Sequence, residues 1–294
     1  MSLPVERSQI RDGIGLRIGP FQVRVTSTID TVAAGIAALY PDYPRCSDSD
    51  FYDFHVRIDP PTGMRRWYRP QVEFFFDGRR PFKPLPQAQA FAFFEWGLNW
   101  CVANHMHRFL IVHSAVLEKN GHALVMPAPS GSGKSTLCGG LATRGWRLLS
   151  DELAIIDPND GRVVPFPRPV SLKNQSIAVM QAFAPDACFG SPVTDTTKGT
   201  VAHMAASPDS IRRANERATP RWLVFPRYQP GAASQLIRHN KGDAFMQVAA
   251  NSFNYSILHQ QGFNTLADLI DRCDCYDFVY SDLEDAIRVF AALE

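Results

Sequence analysis

The sequence lacks an excess of charge of either sign, because 30 Lys and Arg stand against 29 Asp and Glu in 294 residues. A net charge of +1 gives no broad basic surface, so no nucleic-acid partner is expected. A long hydrophobic run is also missing. The longest apolar stretch, 91–102, is interrupted by Glu95 and Asn99 and is too short to cross a bilayer. We therefore expect no membrane partner.

Cysteine frameworks are also missing. Six cysteines are scattered through the chain without a C-x-x-C pair, which argues against a disulfide scaffold. Cys273 and Cys275 could ligate a metal, but two cysteines on or near a strand more often have a structural role. The first residues, Met1–Arg7, show no signal-peptide pattern. Together these features predict a protein of the reducing cytoplasm.

The most informative segment present is a Gly/Ser-rich loop that begins at Ala128. It follows an apolar run at 122–126 and precedes a helix-compatible segment at 135–144, the order of a Walker A phosphate loop (P-loop). The glycines let backbone N–H groups point at phosphates, the lysine adds charge, and Ser135 offers a hydroxyl to Mg²⁺. Ala128 replaces the usual first glycine. The predicted ATP-binding residues are Pro129, Ser130, Gly131, Ser132, Gly133, Lys134, Ser135 and Thr136.

Two acids, Asp151 and Glu152, follow the predicted strand 146–149. One could share Mg²⁺ with Ser135 while the other accepts a proton from an attacking hydroxyl. Adjacent residues on a strand face opposite sides, so both can reach one site only where the strand ends. Two solvated acids at a strand end are the alternative. His113 ends a strand that a hairpin at 119–121 would place beside the loop.

Residues 1–107 are predicted to form a small, mostly antiparallel α+β unit that ends in a joining helix. Apolar alternation predicts hairpins at 14–26 and at 51–76, with a helix at 28–40 between them. The segment 87–107 has helical periodicity. Its aromatic residues could stack on bases, but without interleaved basic residues we interpret them as core.

Residues 108–294 are predicted to form the nucleotide-binding domain. The segment 171–220 has few apolar periods and is predicted to contain long loops with short helices, as a lid, a substrate platform or a disordered region. Helices and strands then alternate to the end, with a helix predicted at 265–272, which indicates an α/β fold. The last helix is predicted to begin with a capping box formed by Ser281 and Glu284.

The runs 113–137 and 144–152 resemble the catalytic domain of bacterial HPr kinase/phosphorylase. They resemble more closely the shorter proteins called HprK-related kinase A, and the likeness is good over about 109–157. It implies an HPr-kinase/PEP-carboxykinase-like nucleotide domain with a mixed sheet. It also implies ATP and Mg²⁺ as cofactors, and an ATP-dependent kinase acting on a hydroxyl, such as a serine of a protein or peptide.

The resemblance also implies residue roles. Glu152 falls where the family has its proton-accepting aspartate, Asp151 would hold the metal with Ser135, and His113 falls on the family's histidine. A later segment, 237–250, resembles the family's basic segment and would place Arg238 and Lys241 near the phosphates. The family's Glu-x-Arg-Gly signature is not evident, and the nearest stretch keeps only Arg168. Thr136 stands where HPr kinases carry glutamate.

Three functions are compatible with these residues. The first is a serine kinase with a protein or peptide substrate, and homo-oligomer formation is left open. The second is a nucleotide-binding or ATPase switch that serves a partner protein. The third is a kinase of a small-molecule hydroxyl. The acids after Leu149 favour a kinase, because a switch needs a metal ligand but no second base.

Overall fold

The computed structural model describes residues 7–293. The first six residues lie outside this range, and with them most of the segment without a signal-peptide pattern and the start of the predicted N-terminal unit. Glu294 lies outside it as well. In the N-terminal unit, alternate side chains are buried on two neighbouring strands, Phe21, Val23 and Val25 on one and Phe54, Val56 and Ile58 on the other. This alternation produces a sheet with one covered face.

The N-terminal unit contains a six-stranded sheet in the order β3-β1-β2-β4-β5-β6. The two predicted hairpins are confirmed as β1/β2 and β4/β5, and only β2 and β4 pair in parallel. The elements are α1 (Arg7–Asp12), β1 (Ile14–Ile18), β2 (Phe21–Ser27), α2 (Asp30–Leu39), β3 (Arg45–Cys46), β4 (Phe54–Asp59), β5 (Gln71–Phe76), β6 (Leu85–Pro86) and α3 (Ala90–His105), with short 3-10 turns at Met64–Arg66 and Gln87–Gln89.

Helix α3 confirms the predicted joining helix, within three residues at each end. Phe91, Phe93 and Phe94 are buried, so the interpretation of its aromatics as core is confirmed. The helix carries one buried acid, Glu95, which pairs with Arg168 of the second part of the chain. No helix within residues 7–293 combines the length and apolar character needed to cross a bilayer.

The rest of the chain is an α/β structure built on an eight-stranded mixed sheet. The path is β11-β10-β7-β8-β15-β17-β16, with β9 added beside β7, and β15 is parallel to both β8 and β17. The strands are β7 (Leu110–Lys119), β8 (His122–Pro127), β9 (Arg147–Ser150), β10 (Leu153–Ile156), β11 (Val163–Val164), β12 (Val170–Lys173), β13 (Val193–Thr196), β14 (Gly199–Met204), β15 (Thr219–Tyr228), β16 (Gln235–Arg238) and β17 (Asp274–Tyr280), and the helices are α4 (Lys134–Ala142), α5 (Gln175–Phe183), α6 (Pro208–Arg212), α7 (Lys241–Ala250), α8 (His259–Arg272) and α9 (Leu283–Ala291).

The segment 171–220 contains the predicted short helices, α5 and α6, but it also contains a sheet, so the prediction of long loops is wrong. Strands β12, β14 and β13 form a separate three-stranded antiparallel sheet. Their apolar residues, Val201, Ala202 and Met204 among them, are buried against the main core. Each strand has only four to six residues, so the segment contains no long periodic pattern.

Two local predictions need correction near the C-terminus. Helix α8 begins at His259, six residues before the predicted start at Thr265. The predicted capping box is also wrong, because Asp282 is the cap of α9 and its carboxylate accepts from the N–H of Asp285 at 2.8 Å. The hydroxyl of Ser281 donates instead to the carbonyl of Ala232.

A continuous hydrophobic core joins the N-terminal unit to the second part of the chain. The ring of Phe21 packs edge-on against Phe109 and Phe166, at centroid distances of 6.4 and 5.5 Å. The hydroxyl of Tyr43 donates to the carbonyl of Pro167 at 3.0 Å. These contacts fix the segment that leads into β12.

Candidate nucleotide site

Strand β8, at the centre of the main sheet, leads into the predicted phosphate loop, and helix α4 begins at Lys134. Gly131 and Gly133 have φ values of 89° and 88°, a region that disfavours side chains. A Cβ at Gly133 would also lie 2.5 Å from the hydroxyl of Tyr280. Ala128 keeps a negative φ, so alanine is tolerated where the motif has glycine.

Two tyrosines at the ends of neighbouring parallel strands hold this loop. The hydroxyl of Tyr280 donates to the carbonyl of Gly133 at 2.8 Å. The backbone N–H of Tyr228 donates to the carbonyl of Ser132, also at 2.8 Å. The sequence analysis missed both residues, because their proximity depends on the parallel pairing of β8, β15 and β17.

Lys134 is only 6% exposed and points inward under the loop. Its ammonium lies 3.1 Å from Nε2 of His113 and donates to the carbonyl of Ala128 at 3.2 Å. Burial lowers the pKa of Lys134, while the charges of Glu152 and Asp151 oppose that shift. The ammonium is thus held by His113 and a loop carbonyl, where the charges of Glu152 and Asp151 act on it.

His113 and Glu152 meet because β7 and β10 pair in an antiparallel register that sets His113 opposite Leu153. The distance from His113 Nε2 to Glu152 Oε2 is 3.4 Å. Burial alone would raise the pKa of Glu152, but the contact with His113 and the charges of Lys173 and Lys134 lower it below its usual range. Glu152 is therefore ionised at neutral pH and available as a proton acceptor.

Asp151 faces a different environment, 3% exposed, and its Oδ2 accepts from the N–H of Ser171 at 2.9 Å. Burial and the charge of Glu152 raise the pKa of Asp151, whereas Lys134 and the Ser171 and Ser135 hydrogen bonds lower it. The pKa values of the two neighbouring acids are thus shifted in opposite directions. The turn between β9 and β10 lets the two side chains lie in different surroundings.

The residues present fit a Mg²⁺ ion. Oδ1 of Asp151 is buried without a hydrogen-bond partner among the described residues, and the hydroxyl of Ser135 is its neighbour. Residues 7–293 contain no cluster of three or more His, Cys, Asp or Glu that could hold a metal by itself. Mg²⁺ usually takes one or two carboxylates and completes its shell with water and substrate phosphates, so a single acid and a hydroxyl suffice.

The loop and Glu152 open into a cavity of about 900 Å³, within the size range of small-ligand sites, whereas Asp151 does not line it. One wall is the loop itself, to which His113 and Glu152 are added. A second wall, which we name the basic wall, consists of Ser171, Lys173, Lys198 and the first turn of α5. Of the predicted loop residues, Pro129, Ser130, Gly131, Gly133, Lys134, Ser135 and Thr136 line the cavity.

The structure does not bring Arg238 and Lys241 to this cavity. Strand β16 runs antiparallel to β17, so Arg238 lies opposite Tyr276, away from the loop end of the sheet. Its guanidinium pairs with Asp274 at 2.5 Å, and Lys241 donates to the carbonyl of Asp271 at 2.7 Å. Both side chains are exposed. The expectation that they lie near the phosphates is therefore not met.

Arg168 also lies away from the loop, in the interior between the two parts of the chain. Its guanidinium donates to Oε2 of Glu95 at 2.8 Å, and the hydroxyl of Tyr40 donates to Oε1 of the same acid at 2.7 Å. Its Nη1 has no partner among the described residues. This buried group anchors the segment that becomes β12, and β12 carries Ser171 to Asp151.

A second cavity, of about 690 Å³, lies between α2 and α5. Leu39, Leu148, Phe183 and Met204 contribute apolar surface to it, and it contains none of the predicted site residues. The cavity at the loop is therefore the candidate functional site.

The sequence was compared with protein-family models and with curated proteins, and no match was found in either comparison.

Proposed function

We propose that this protein is an ATP- and Mg²⁺-dependent kinase of the HPr-kinase-like type that transfers the γ-phosphoryl group to a hydroxyl, that of a serine in a protein or peptide. The observation that carries the proposal is the contact series Lys134, His113 and Glu152, with successive distances of 3.1 and 3.4 Å. It joins a phosphate-binding cation to an ionised acid within one cavity.

Each residue has a distinct task in this proposal. The loop N–H groups and Lys134 bind the β- and γ-phosphates, and the positive end of α4 adds to their attraction. Asp151 and Ser135 hold the metal, which when bound neutralises charge on the phosphates. The acceptor hydroxyl approaches Glu152.

Transfer then requires one proton movement and one displacement. The serine oxygen forms a bond to the γ-phosphorus while its proton passes to the carboxylate of Glu152. The bond from the γ-phosphorus to the bridging oxygen breaks, and ADP leaves with that electron pair. The lowered pKa of Glu152 keeps it deprotonated before the step, and His113 holds its carboxylate in place.

The different surroundings of Asp151 and Glu152 favour a kinase over a simple nucleotide switch. A switch needs one metal ligand, and Asp151 with its unpartnered oxygen can fill that role. Glu152 would then have no function, although it is held at the cavity by His113 and by the charges of two lysines. A second ionised acid at this place is what proton acceptance requires.

The proposal is tested by incubating the protein and cell lysate with ATP labelled in the γ-phosphate. We expect label in a protein band, dependent on Mg²⁺ and absent with Lys134→Ala. The control is Lys83→Ala, which removes an exposed lysine far from the loop in sequence. Label released only as inorganic phosphate would contradict the proposal and favour the switch. Label in a small molecule would favour the small-molecule kinase.

A further inference from the structure

In the proposed mechanism Lys173 acts only through its charge on Glu152, and neither lysine of the basic wall contacts the nucleotide or the acceptor. Antiparallel pairing of β12 and β14 sets Lys173 opposite Val201, three residues after Lys198. Asn174 holds the two segments together, because its side chain accepts from the N–H of Thr200 at 3.1 Å and donates to the carbonyl of Lys198 at 3.4 Å. Both lysines line the cavity.

The positive charge of this wall is not neutralised by a salt bridge. Within residues 7–293, neither Lys173 nor Lys198 forms an ion pair with a carboxylate, and the acid whose charge acts on both is Glu152. The ammonium of Lys198 also lies over the ring of Trp96, 5.6 Å from its centroid. Burial and the charge of Lys173 lower the pKa of Lys198. Two like charges kept together at a cost indicate that an anion occupies the wall at some stage of the reaction.

Two uncharged groups add donors to the same wall. Ser171 is 6% exposed, and its hydroxyl lines the cavity without a hydrogen-bond partner among the described residues. Helix α5 starts there with no side-chain cap at Asn174. The N–H of Ile177 donates to the carbonyl of Asn174, so the N–H groups of Gln175 and Ser176 and the positive end of the dipole are the part of this helix start that can meet an anion.

The nucleotide does not need this wall. The loop, Lys134 and the start of α4 already supply donors for the phosphates. Glu152 experiences the charge of Lys134 on the loop and the charge of Lys173 on the basic wall. Since the acceptor hydroxyl must approach Glu152, the basic wall is in a position to contact what carries that hydroxyl. Lys198 is exposed on the turn between β13 and β14, so a ligand can extend out of the cavity there.

We propose that the basic wall binds carboxylates of an acidic peptide segment that flanks the acceptor serine. This inference rests on the proposed kinase function and names its substrate class. Lys173 and Lys198 would each form a charge-assisted hydrogen bond with an Asp or Glu close to the serine, and the Ser171 hydroxyl and the start of α5 would complete the site.

The test measures peptide binding to protein loaded with Mg²⁺ and ADP. The probes are a peptide with a central serine flanked by Asp and Glu and a matched peptide with Asn and Gln. Wild type is compared with Lys173→Met/Lys198→Met and with the control Lys83→Met/Lys241→Met, which removes the same charge outside the cavity. The single variant Lys198→Met changes a residue that is exposed overall and whose ammonium lies over the ring of Trp96, and it serves if the double variant does not fold.

We expect wild type and control to bind the acidic peptide at least about tenfold more tightly than the neutral one, and Lys198→Met to lose about tenfold of that preference. The affinity of these variants for Mg·ATP should stay within about threefold of the wild-type affinity. An unchanged preference in the double variant would overturn the inference. A loss of Mg·ATP affinity as large as that of Lys134→Ala would also overturn it, because the wall would then bind nucleotide.

Phosphorylation of the same peptides separates this inference from the proposed function. Lysine-dependent binding of the acidic peptide without its phosphorylation would support the anion site and contradict the kinase. Equal phosphorylation of both peptides would support the kinase and overturn the acidic preference. Glycerol 3-phosphate serves as a competing probe. Its lysine-dependent binding without any peptide binding would overturn the peptide as the source of the anion.

Discussion

The two walls of the cavity are built in different ways. The loop wall comes from one continuous segment, 129–136, held between a strand and a helix. The basic wall is assembled from residues that lie 25 positions apart in the chain, Lys173 and Lys198, and depends on the pairing of short strands. In the proposed function, the nucleotide would therefore bind to a segment that is encoded locally, whereas the surface offered to the acceptor would depend on tertiary structure.

The largest expected effect comes from the loop wall. Lys134→Ala should remove measurable Mg·ATP binding and leave the fold intact, because the hydrogen bonds that the ammonium makes with the described residues go to His113 and to a loop carbonyl. Titration calorimetry measures the affinity and circular dichroism the fold. Unchanged ATP binding in this variant would contradict the phosphate-loop interpretation and remove the distinction between the walls.

Asp151→Asn tests whether the metal belongs to the loop wall. One of the one or two carboxylates that hold Mg²⁺ would be lost, so the Mg²⁺ concentration needed for half-maximal activity should rise by about tenfold or more. Because an amide can still accept from the N–H of Ser171, the local backbone should stay in place. The control is Asp268→Asn on an exposed face of α8. An unchanged Mg²⁺ dependence would place the metal elsewhere.

His113→Gln tests the link between the loop wall and Glu152 through pH. The contact with His113 lowers the pKa of Glu152, so its loss should raise that pKa. Since Glu152 must be deprotonated to accept a proton, the acidic limb of the pH–rate profile should move to higher pH, by about one unit for a hydrogen bond of about 1.4 kcal/mol. A limb that moves to lower pH, or not at all, would contradict this role.

Tyr280→Phe is expected to have the smallest effect. It removes only the hydrogen bond from the hydroxyl to the carbonyl of Gly133, which contributes about 0.5–1.5 kcal/mol. The affinity for Mg·ATP should fall by about tenfold or less. Tyr68→Phe, an exposed tyrosine of the N-terminal unit, is the control. A complete loss of binding would show that the loop depends on this contact far more than we infer.

The same contrast explains what the sequence could predict. Periodicity and motif spacing are local signals, and they were enough to predict the loop, both acids, the hairpins of the N-terminal unit and the core role of Phe91 and Phe94. The sheet of β12, β13 and β14 could not be predicted, because strands of four to six residues show almost no periodicity and their pairing is long-range.

Resemblance was less reliable than local pattern in one place. It suggested that Arg238 and Lys241 lie near the phosphates, but the antiparallel direction of β16 carries them to the other end of the sheet. The site residues that the sequence missed, Tyr280 and the two basic-wall lysines, are single residues without a motif. Only the alternation in Val170–Lys173 could have indicated a strand there.

The central claim is that Glu152 accepts the proton of the acceptor while Asp151 and Ser135 hold the metal. The most direct measurement compares Mg·ATP affinity and phosphoryl transfer in Glu152→Gln, using the protein substrate labelled by wild type. We predict unaltered affinity and a fall in turnover of about 10²–10⁴-fold, the contribution of general-base assistance. Loss of Mg²⁺-dependent ATP binding in Glu152→Gln, with Asp151→Asn losing only turnover, would contradict the claim and exchange the two roles.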